Sequence, residues 1–581
     1  MKTFLQTKKG LDYSWDKSQF EDYDFQSPAL FRSDAQQTQE IVASVLALDE
    51  VSQASKTGKG FLSVKLSFEK LPQLLHEMLL FHLGQIKQTK PNTIVLDYGG
   101  MNMAKQLHVG HIRSMFIGDC LGKIYEAQGH TVVRQNHVGD VGSQFGFLLQ
   151  YLWEHPQPFS TNNELTDIYK TARVLYDSDE EFKNRSDERA TLLQQGDEQT
   201  LLLWQKLKKV SDENMESFFR FFDVKLNTSH TKGESFYLKY CQDVVDDLIK
   251  KNLAQRDDDG SVVAFKDSKH PFVLQKSTGA FLYGLVDVVA LKYRQEHYHP
   301  NTIVYVVDKR QKLHFEQVFS LAQQASYTQC VLEHKGFGTI LGKDKKPLKT
   351  RSGDSVYLDE LLEEGFSCYS QSVQGQKALA EDKGDLVARK TVLGALKYYD
   401  LHLRPQDDYV FDWEYVLSTT GQSAPYLQNT VVRIDSLIQK IDNSFVGLFD
   451  NIPKRHDDFL VQILDMGIKD SVLPKSAHGL VVQLAQSIED VVLAQGGHQI
   501  VQSLLQLAKA SHAFYETTRV LGHPQEKELT KLLKMVGCTQ MYGMSLLGVS
   551  SYPGLSNRHL MKEEGAVRLG NVGLGKKGAK P

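Results

Sequence analysis

Cysteine is scarce and scattered. The chain of 581 residues has five, Cys120, Cys241, Cys330, Cys368 and Cys538, far apart and without a CxxC pair. That pattern argues against a disulfide framework and against a structural zinc site, and it fits a reducing compartment. Long apolar runs are also missing: no stretch of 18 apolar residues occurs, so no segment is expected to span a membrane. The first residues, MKTFLQTKKGLDYSW, lack the apolar core of a secretory signal, and the expected location is the cytoplasm. An excess of one charge is absent too. With 67 basic and 71 acidic residues the net charge is −4, so a nucleic-acid partner would have to be met by local basic patches. No internal repeat is visible.

The composition, 41% hydrophobic and 24% charged, is that of an ordinary globular protein, and the length calls for two to four domains rather than one core. Residues 1–90 read as a small α+β module, with period-two alternation from Phe61 and a helix from Leu71 to Leu83. Gln88–Asn92 reads as a linker. The apolar run Thr93–Tyr98 then has the character of a buried strand. A glycine loop, Gly99–Asn102, a helix from Val109 to Gly129 and a further strand, Thr131–Gln135, follow. This strand, loop, helix and strand imply a Rossmann-like parallel sheet. The α/β region is expected over 91–355, interrupted by a charged helical insertion at about 151–250 that carries no strand signal. A helical connector is expected over 356–430 and an all-α bundle over 431–564. The glycine- and lysine-rich segment 565–581 reads as a disordered basic tail.

The sharpest local feature is His108-Val-Gly-His111, set between the strand and the helix. A helix N-terminus offers unpaired N–H groups and partial positive charge to a phosphate. Gly110 permits close backbone approach, and two imidazoles three residues apart can donate to phosphate oxygens. Taken alone, the same four residues are equally a pair of surface histidines or part of a metal site, although no third ligand stands at metal spacing. A second feature is Lys343-Asp-Lys-Lys-Pro-Leu-Lys-Thr-Arg351, bounded by Gly342 and Gly353. It reads either as a solvated charged loop or as a mobile one whose Lys346, Lys349 and Arg351 close over a triphosphate.

The segment Asp97-Tyr-Gly-Gly-Met-Asn-Met-Ala-Lys-Gln-Leu-His-Val-Gly-His-Ile-Arg-Ser114, with Asn136-His-Val-Gly-Asp140 onward to Gly146, resembles the ATP-site segments of class I arginyl-tRNA synthetases. The resemblance continues through Gly233-Glu-Ser-Phe-Tyr237, Val306–His314, Lys349–Gly353, Tyr409–Trp413, Ala424–Gln428 and Phe514-Tyr-Glu516, and spans roughly residues 20–548. It implies that residues 1–90 touch the tRNA elbow and that the C-terminal bundle binds the anticodon. It implies that His108, Gly110 and His111 hold ATP as the HIGH motif. Lys349-Thr-Arg-Ser-Gly353 becomes a degenerate KMSKS loop, and Lys105 stands in for a lysine missing from it. Arginine is expected to meet Asn102, His111, Tyr283, Asp287 and Gln311, with Asn136 as a further contact. A carboxylate at Asp287 suits the planar guanidinium fork, and Tyr283 four residues earlier would share its helix face.

The implied reaction is ATP-dependent activation of L-arginine and its transfer to tRNA(Arg) by a monomer, with Mg²⁺ accompanying ATP. Three departures touch the pocket: Gly100-Met101 where the family has Ser-Pro, Val141 where it has Trp, and Leu285-Val286 where it has Thr-Arg. The C-terminal end also departs from the family's short ending. They keep two alternatives open, a specialised paralogue serving another acceptor and a non-catalytic RNA-binding relative.

If the histidine motif acts on the α-phosphate, His108→Ala and His111→Ala each lower adenylate formation about 10²–10³-fold, the effect of removing one transition-state donor. Pyrophosphate exchange measures this; near-normal exchange in both variants would take the motif out of the chemistry.

Overall fold

The computed structural model describes residues 16–18, 22–31, 33–58, 60–101, 103–265, 269–348, 356–380, 384–419, 421–442 and 452–550, together with Thr3 and Gln6. The segment expected to form the basic tail, 565–581, lies outside the described residues.

The N-terminal sheet is antiparallel. It comprises β1 (Asp16–Lys17), β2 (Phe25–Ser27), β3 (Val51–Thr57) and β4 (Phe61–Leu66) in the order β1-β2-β4-β3. Its inward side chains, among them Phe25, Leu62, Val64 and Leu66, are fully buried. The helix Leu71–Gln88 leaves this sheet and packs against His456–Asp465 and His478–Val492 of the C-terminal bundle. Two polar contacts cross the same junction. His82 meets Glu489 at 3.1 Å in a buried setting, and His478 meets Asp24 at 2.9 Å.

The central sheet is parallel and five-stranded. Its strands are β5 (Thr93–Asp97), β6 (Thr131–Val138), β7 (Thr231–Gly233), β11 (Thr302–Tyr305) and β12 (Val331–His334), in the order β12-β11-β5-β6-β7. The chain runs outward from β5 on one side and returns on the other, so the strand order reverses between β5 and β11. In open α/β sheets that reversal opens a crevice beyond the C-terminal strand ends. The expected Rossmann-like sheet is therefore present.

The helices Asn162–Ser178, Glu180–Gln195 and Glu198–Phe221 fill most of the expected helical insertion, and β7 lies inside its range, where the sequence carries no strand signal. Thr231-Lys-Gly233 is too short and too polar to look like a strand. It pairs only along one edge, Asn136↔Thr231 to Val138↔Gly233, so it needs no two-sided apolar run. A small antiparallel meander, β8 (Ala254–Arg256), β9 (Val262–Ala264) and β10 (Phe272–Gln275), precedes the helix Tyr283–Tyr298. Two short parallel strands, β13 (Ile340–Leu341) and β14 (Tyr409–Val410), join the far edge to the C-terminal helices.

The helix Gly110–Ala127 is buried on nearly every side, by Ile112, Met115, Phe116, Leu121 and Ile124 together with the polar Arg113, Ser114 and Asp119. A helix so enclosed must satisfy its polar groups internally. Arg113 donates to Asp400 at 2.9 Å and to the Asp407 carbonyl at 2.8 Å, fixing the helix against Gly384–Leu401. At Gly118 the helix lies on Tyr98, so closely that an added Cβ would stand 2.3 Å from the tyrosine ring. Gly118→Ala forces this contact apart and destabilises by about 1–3 kcal/mol, the cost of overpacking a filled core. Urea unfolding measures it, and unchanged stability would mean that Tyr98 is free to move.

Candidate active site

Three loops meet at the reversal of the sheet. After β5 the chain turns through Gly99 and Gly100, whose φ values of +97° and +54° are left-handed and favour glycine. The Gly99 N–H donates to Ser114 Oγ at 2.9 Å, and that hydroxyl donates to the Val306 carbonyl at 2.7 Å. The Gly100 N–H donates to Asn136 Oδ1 at 3.0 Å, while Asn136 Nδ2 donates to Thr231 Oγ1 at 3.0 Å. Asn136, expected to touch arginine, thus has both ends of its amide engaged in holding the glycine loop against β7. Asn102, in the same loop, lies outside the described residues.

His108 and His111 face each other across the first turn of the motif helix, ring centroids 4.0 Å apart. The Gly110 N–H donates to His108 Nδ1 at 3.1 Å, which puts the His108 ring proton on Nε2. A Cβ at residue 110 would stand 2.8 Å from that ring, so the fold-back requires glycine. His111 Nδ1 rests against the His108 backbone, 3.2 Å from its N–H and 3.1 Å from its carbonyl. Burial, then the neighbouring His108 and Lys105, drive the His111 pKa down to about 3. Burial and Lys105 lower that of His108 as well. Both rings are therefore neutral hydrogen-bond donors at pH 7, not cations.

Positive charge must come from elsewhere. Lys105 places its ammonium 4.1 Å from the centre of the Tyr169 ring, on the insertion helix Asn162–Ser178. The same helix grips the loop, Asn162 donating to the Lys105 carbonyl at 2.5 Å and Thr166 accepting from the Gln106 N–H at 2.8 Å. The lysine-rich segment begins as a tight turn, in which Gly342 donates to the Lys346 carbonyl at 2.8 Å and Leu348 to the Ile340 carbonyl at 3.0 Å. Lys346 is exposed on that turn. Lys349 and Arg351 lie outside the described residues, but the chain is described again at Val356, where it pairs with the histidine motif. Val109 donates to the Val356 carbonyl at 3.1 Å, and Leu358 to that of Leu107 at 2.9 Å. The described residues Leu348 and Val356 are each held by backbone bonds, Val356 next to His108.

The second half of the site is acidic. Tyr283 opens the helix Tyr283–Tyr298, and Asp287 follows one turn later on the same side, as their spacing requires. Tyr283 is 61% exposed, and its ring lies 5.0 Å from that of His314. Asp287 accepts from His314 Nε2 at 2.7 Å, and His137 Nε2 stands 3.5 Å from its other oxygen. Gln311 is exposed and ends the turn that starts the helix Lys312–Gln324, which carries His314. The sequence reading gave no role to Asp140, Glu234, His137 or His314. Asp140 accepts from the Ser235 N–H at 2.8 Å and its hydroxyl at 2.7 Å, and its pKa is raised by burial. Burial, then the charges of Asp140 and Asp287, push Glu234 up to about 8. These residues come together only in space. The signals for them were the blocks Asn136–Asp140, Gly233–Tyr237 and Val306–His314, and Gly233 sits where a Cβ would meet Asp140 at 2.1 Å.

A helix-start histidine motif and a group of neighbouring carboxylates, on a parallel sheet packed against a helical bundle, are the arrangement of a class I aminoacyl-tRNA synthetase. The family model for the catalytic domain of class I (R) tRNA synthetases matches residues 71–413, and that for the DALR anticodon binding domain matches 475–553. The arginine–tRNA ligase of Thermosynechococcus vestitus is 34% identical over 534 residues, covering 88% of each chain. That of Laribacter hongkongensis is 34% identical over 521 residues, covering 86% of this chain and 88% of its own. In fold, the chain is similar to the arginyl-tRNA synthetase of Plasmodium falciparum, with a TM-score of 0.74 at 24% identity, covering 94% of this chain and 96% of that one. The synthetase of Thermus thermophilus gives 0.68 at 19% identity, covering 96% and 98%. The chain belongs to the class I arginyl-tRNA synthetases.

The carboxylate group has a proton-linked signature. With its pKa raised to about 8, Glu234 is largely protonated at pH 7 in the free protein. A guanidinium seated there favours the ionised form and expels that proton. Arginine affinity should therefore strengthen as pH rises from 6 towards 8, with release of up to one proton at pH 7 that is lost in Glu234→Gln. Calorimetry in buffers of different ionisation heat, with ATP and tRNA present, counts the protons; none released would place the guanidinium elsewhere.

Proposed function

We propose that the chain activates L-arginine with Mg-ATP and transfers it to tRNA(Arg), using the two halves of this site together. The observation that carries the reading is the juxtaposition of neutral imidazoles at a helix start with a carboxylate cluster across the sheet reversal. A triphosphate laid along the start of Gly110–Ala127 meets the positive end of the helix dipole and the Nε2–H of His108. Lys105, with Lys346, Lys349 and Arg351 of the lysine-rich segment, supplies the positive charge that pyrophosphate needs as it leaves. The arginine carboxylate attacks the α-phosphate, giving arginyl-adenylate. The terminal ribose hydroxyl of the tRNA then attacks the acyl carbon and releases AMP. Neither step needs a covalent intermediate on the protein, so the chemistry rests on positioning and charge.

The guanidinium lies against Asp287, with Glu234 behind it and Tyr283 and Gln311 at the mouth. Asn102 and His111 complete the contacts to arginine. Asn136 acts through the glycine loop that it holds, an inner-strand role rather than a contact with the ligand. Residues 1–90 and the bundle over 431–564 carry the tRNA contacts, and the monomer works in the cytoplasm. Similarity along 88% of full-length arginine–tRNA ligases does not favour the specialised paralogue or the non-catalytic relative.

Asp287→Asn keeps the shape and removes the charge. It should weaken arginine use by about 2–5 kcal/mol, as when one side of a buried ion pair is lost, and leave the KM for ATP unchanged. Aminoacylation kinetics with varied arginine and ATP decide it; an unchanged arginine KM removes Asp287 from the pocket.

A further inference from the structure

Resting on that reading of Asp287, we propose that His314 is a positioning residue for arginine selection, the group that sets the plane in which Asp287 presents its carboxylate. A carboxylate on a short side chain turns freely about its last bond unless something holds it, and a guanidinium fork rewards only the in-plane approach. Of the residues three or four away on its own helix, Gly284, Ala290 and Leu291 carry no polar side-chain group and Tyr283 is largely exposed. The polar restraint comes from two other elements. His314, on Lys312–Gln324, donates Nε2–H to Asp287 Oδ2 at 2.7 Å. His137, in β6, stands at 3.5 Å from Oδ1, too far for a comparable bond.

His314 is itself fixed. Its ring packs against Phe272 at 6.0 Å, Phe315 at 5.1 Å and Tyr283 at 5.0 Å between centroids. It therefore touches both members of the Tyr283 and Asp287 pair and transmits the position of one to the other. One lone pair of Oδ2 is taken by the imidazole, which leaves Oδ1 and the remaining lone pair of Oδ2 for a two-pronged donor. A lysine ammonium, being a point charge, gains little from this alignment, so the alignment discriminates between the two cations.

The test uses the full chain with tRNA, reading arginine KM, ATP KM and kcat in His314→Ala, His314→Gln and His314→Asn, with Asp287→Asn alongside. Gln places an amide nitrogen near the position of Nε2, whereas Asn places one nearer Nδ1. His314→Ala and His314→Asn should raise the arginine KM about 10- to 100-fold, the worth of one hydrogen bond to a charged group, with ATP KM unchanged. His314→Gln should recover most of the loss. Circular dichroism melts and the ATP KM show whether each variant is folded, and Gln serves where Ala is not. An unaltered arginine KM in folded His314→Ala overturns the proposal, as does an equal loss in Gln and Ala. If Asp287→Asn raises the arginine KM while the His314 variants do not, only the His314 proposal fails; if Asp287→Asn has no effect, the pocket reading fails with it.

Discussion

The site is organised around one buried ion pair. Asp97, the last residue of β5, accepts from Arg294 at 2.5 Å, and both side chains are almost wholly enclosed. The guanidinium also lies 5.3 Å from the centre of the Tyr305 ring, on β11. Asp97 further accepts from the His137 N–H at 3.3 Å. Three strands of the sheet and the helix Tyr283–Tyr298 are thereby tied at one point, where the glycine loop begins. Breaking such a pair by removing one partner costs about 3–5 kcal/mol, because the other charge stays buried. The pair does more than hold the fold. It sets the distance between the loop that leads to His108 and the helix that carries Asp287.

From that point two chemically opposite half-sites spread apart. On one side, burial keeps His108 and His111 neutral, so they can donate to an anion without adding charge of their own. A cationic group stands near by, Lys105, whose loop is held by the insertion helix. On the other side, burial and mutual repulsion keep Glu234 protonated, so the carboxylate group carries less charge when empty than its residues imply. A cation that enters recovers the ionised form. A protonated Glu234 limits the electrostatic cost of enclosing several carboxylates together.

Much of this was legible in the chain itself. The parallel sheet announced itself through apolar runs such as Thr93–Asp97, because strands buried on both faces need them. The motif helix was marked by its periodicity and by Gly110. Strand β7 was not legible, because an edge strand of three polar residues follows none of the rules that betray a central one. The histidine and aspartate at the ends of the motif blocks, His314 and Asp140, could be quoted but not interpreted, since their partners lie tens of residues away. The amide of Asn136 is bonded to Gly100 and Thr231, contacts that the chain alone does not disclose. Hydrogen-bond capacity is finite, and only the folded chain shows where it has been used.

The central claim is that this site selects arginine for tRNA. The most direct measurement is aminoacylation of total tRNA by the purified chain, with each of the twenty amino acids supplied in turn under Mg-ATP. The account predicts charging with arginine alone, confined to the arginine isoacceptors, and no detectable charging with lysine. Charging with another amino acid, or arginine activation without any transfer to tRNA, would contradict it.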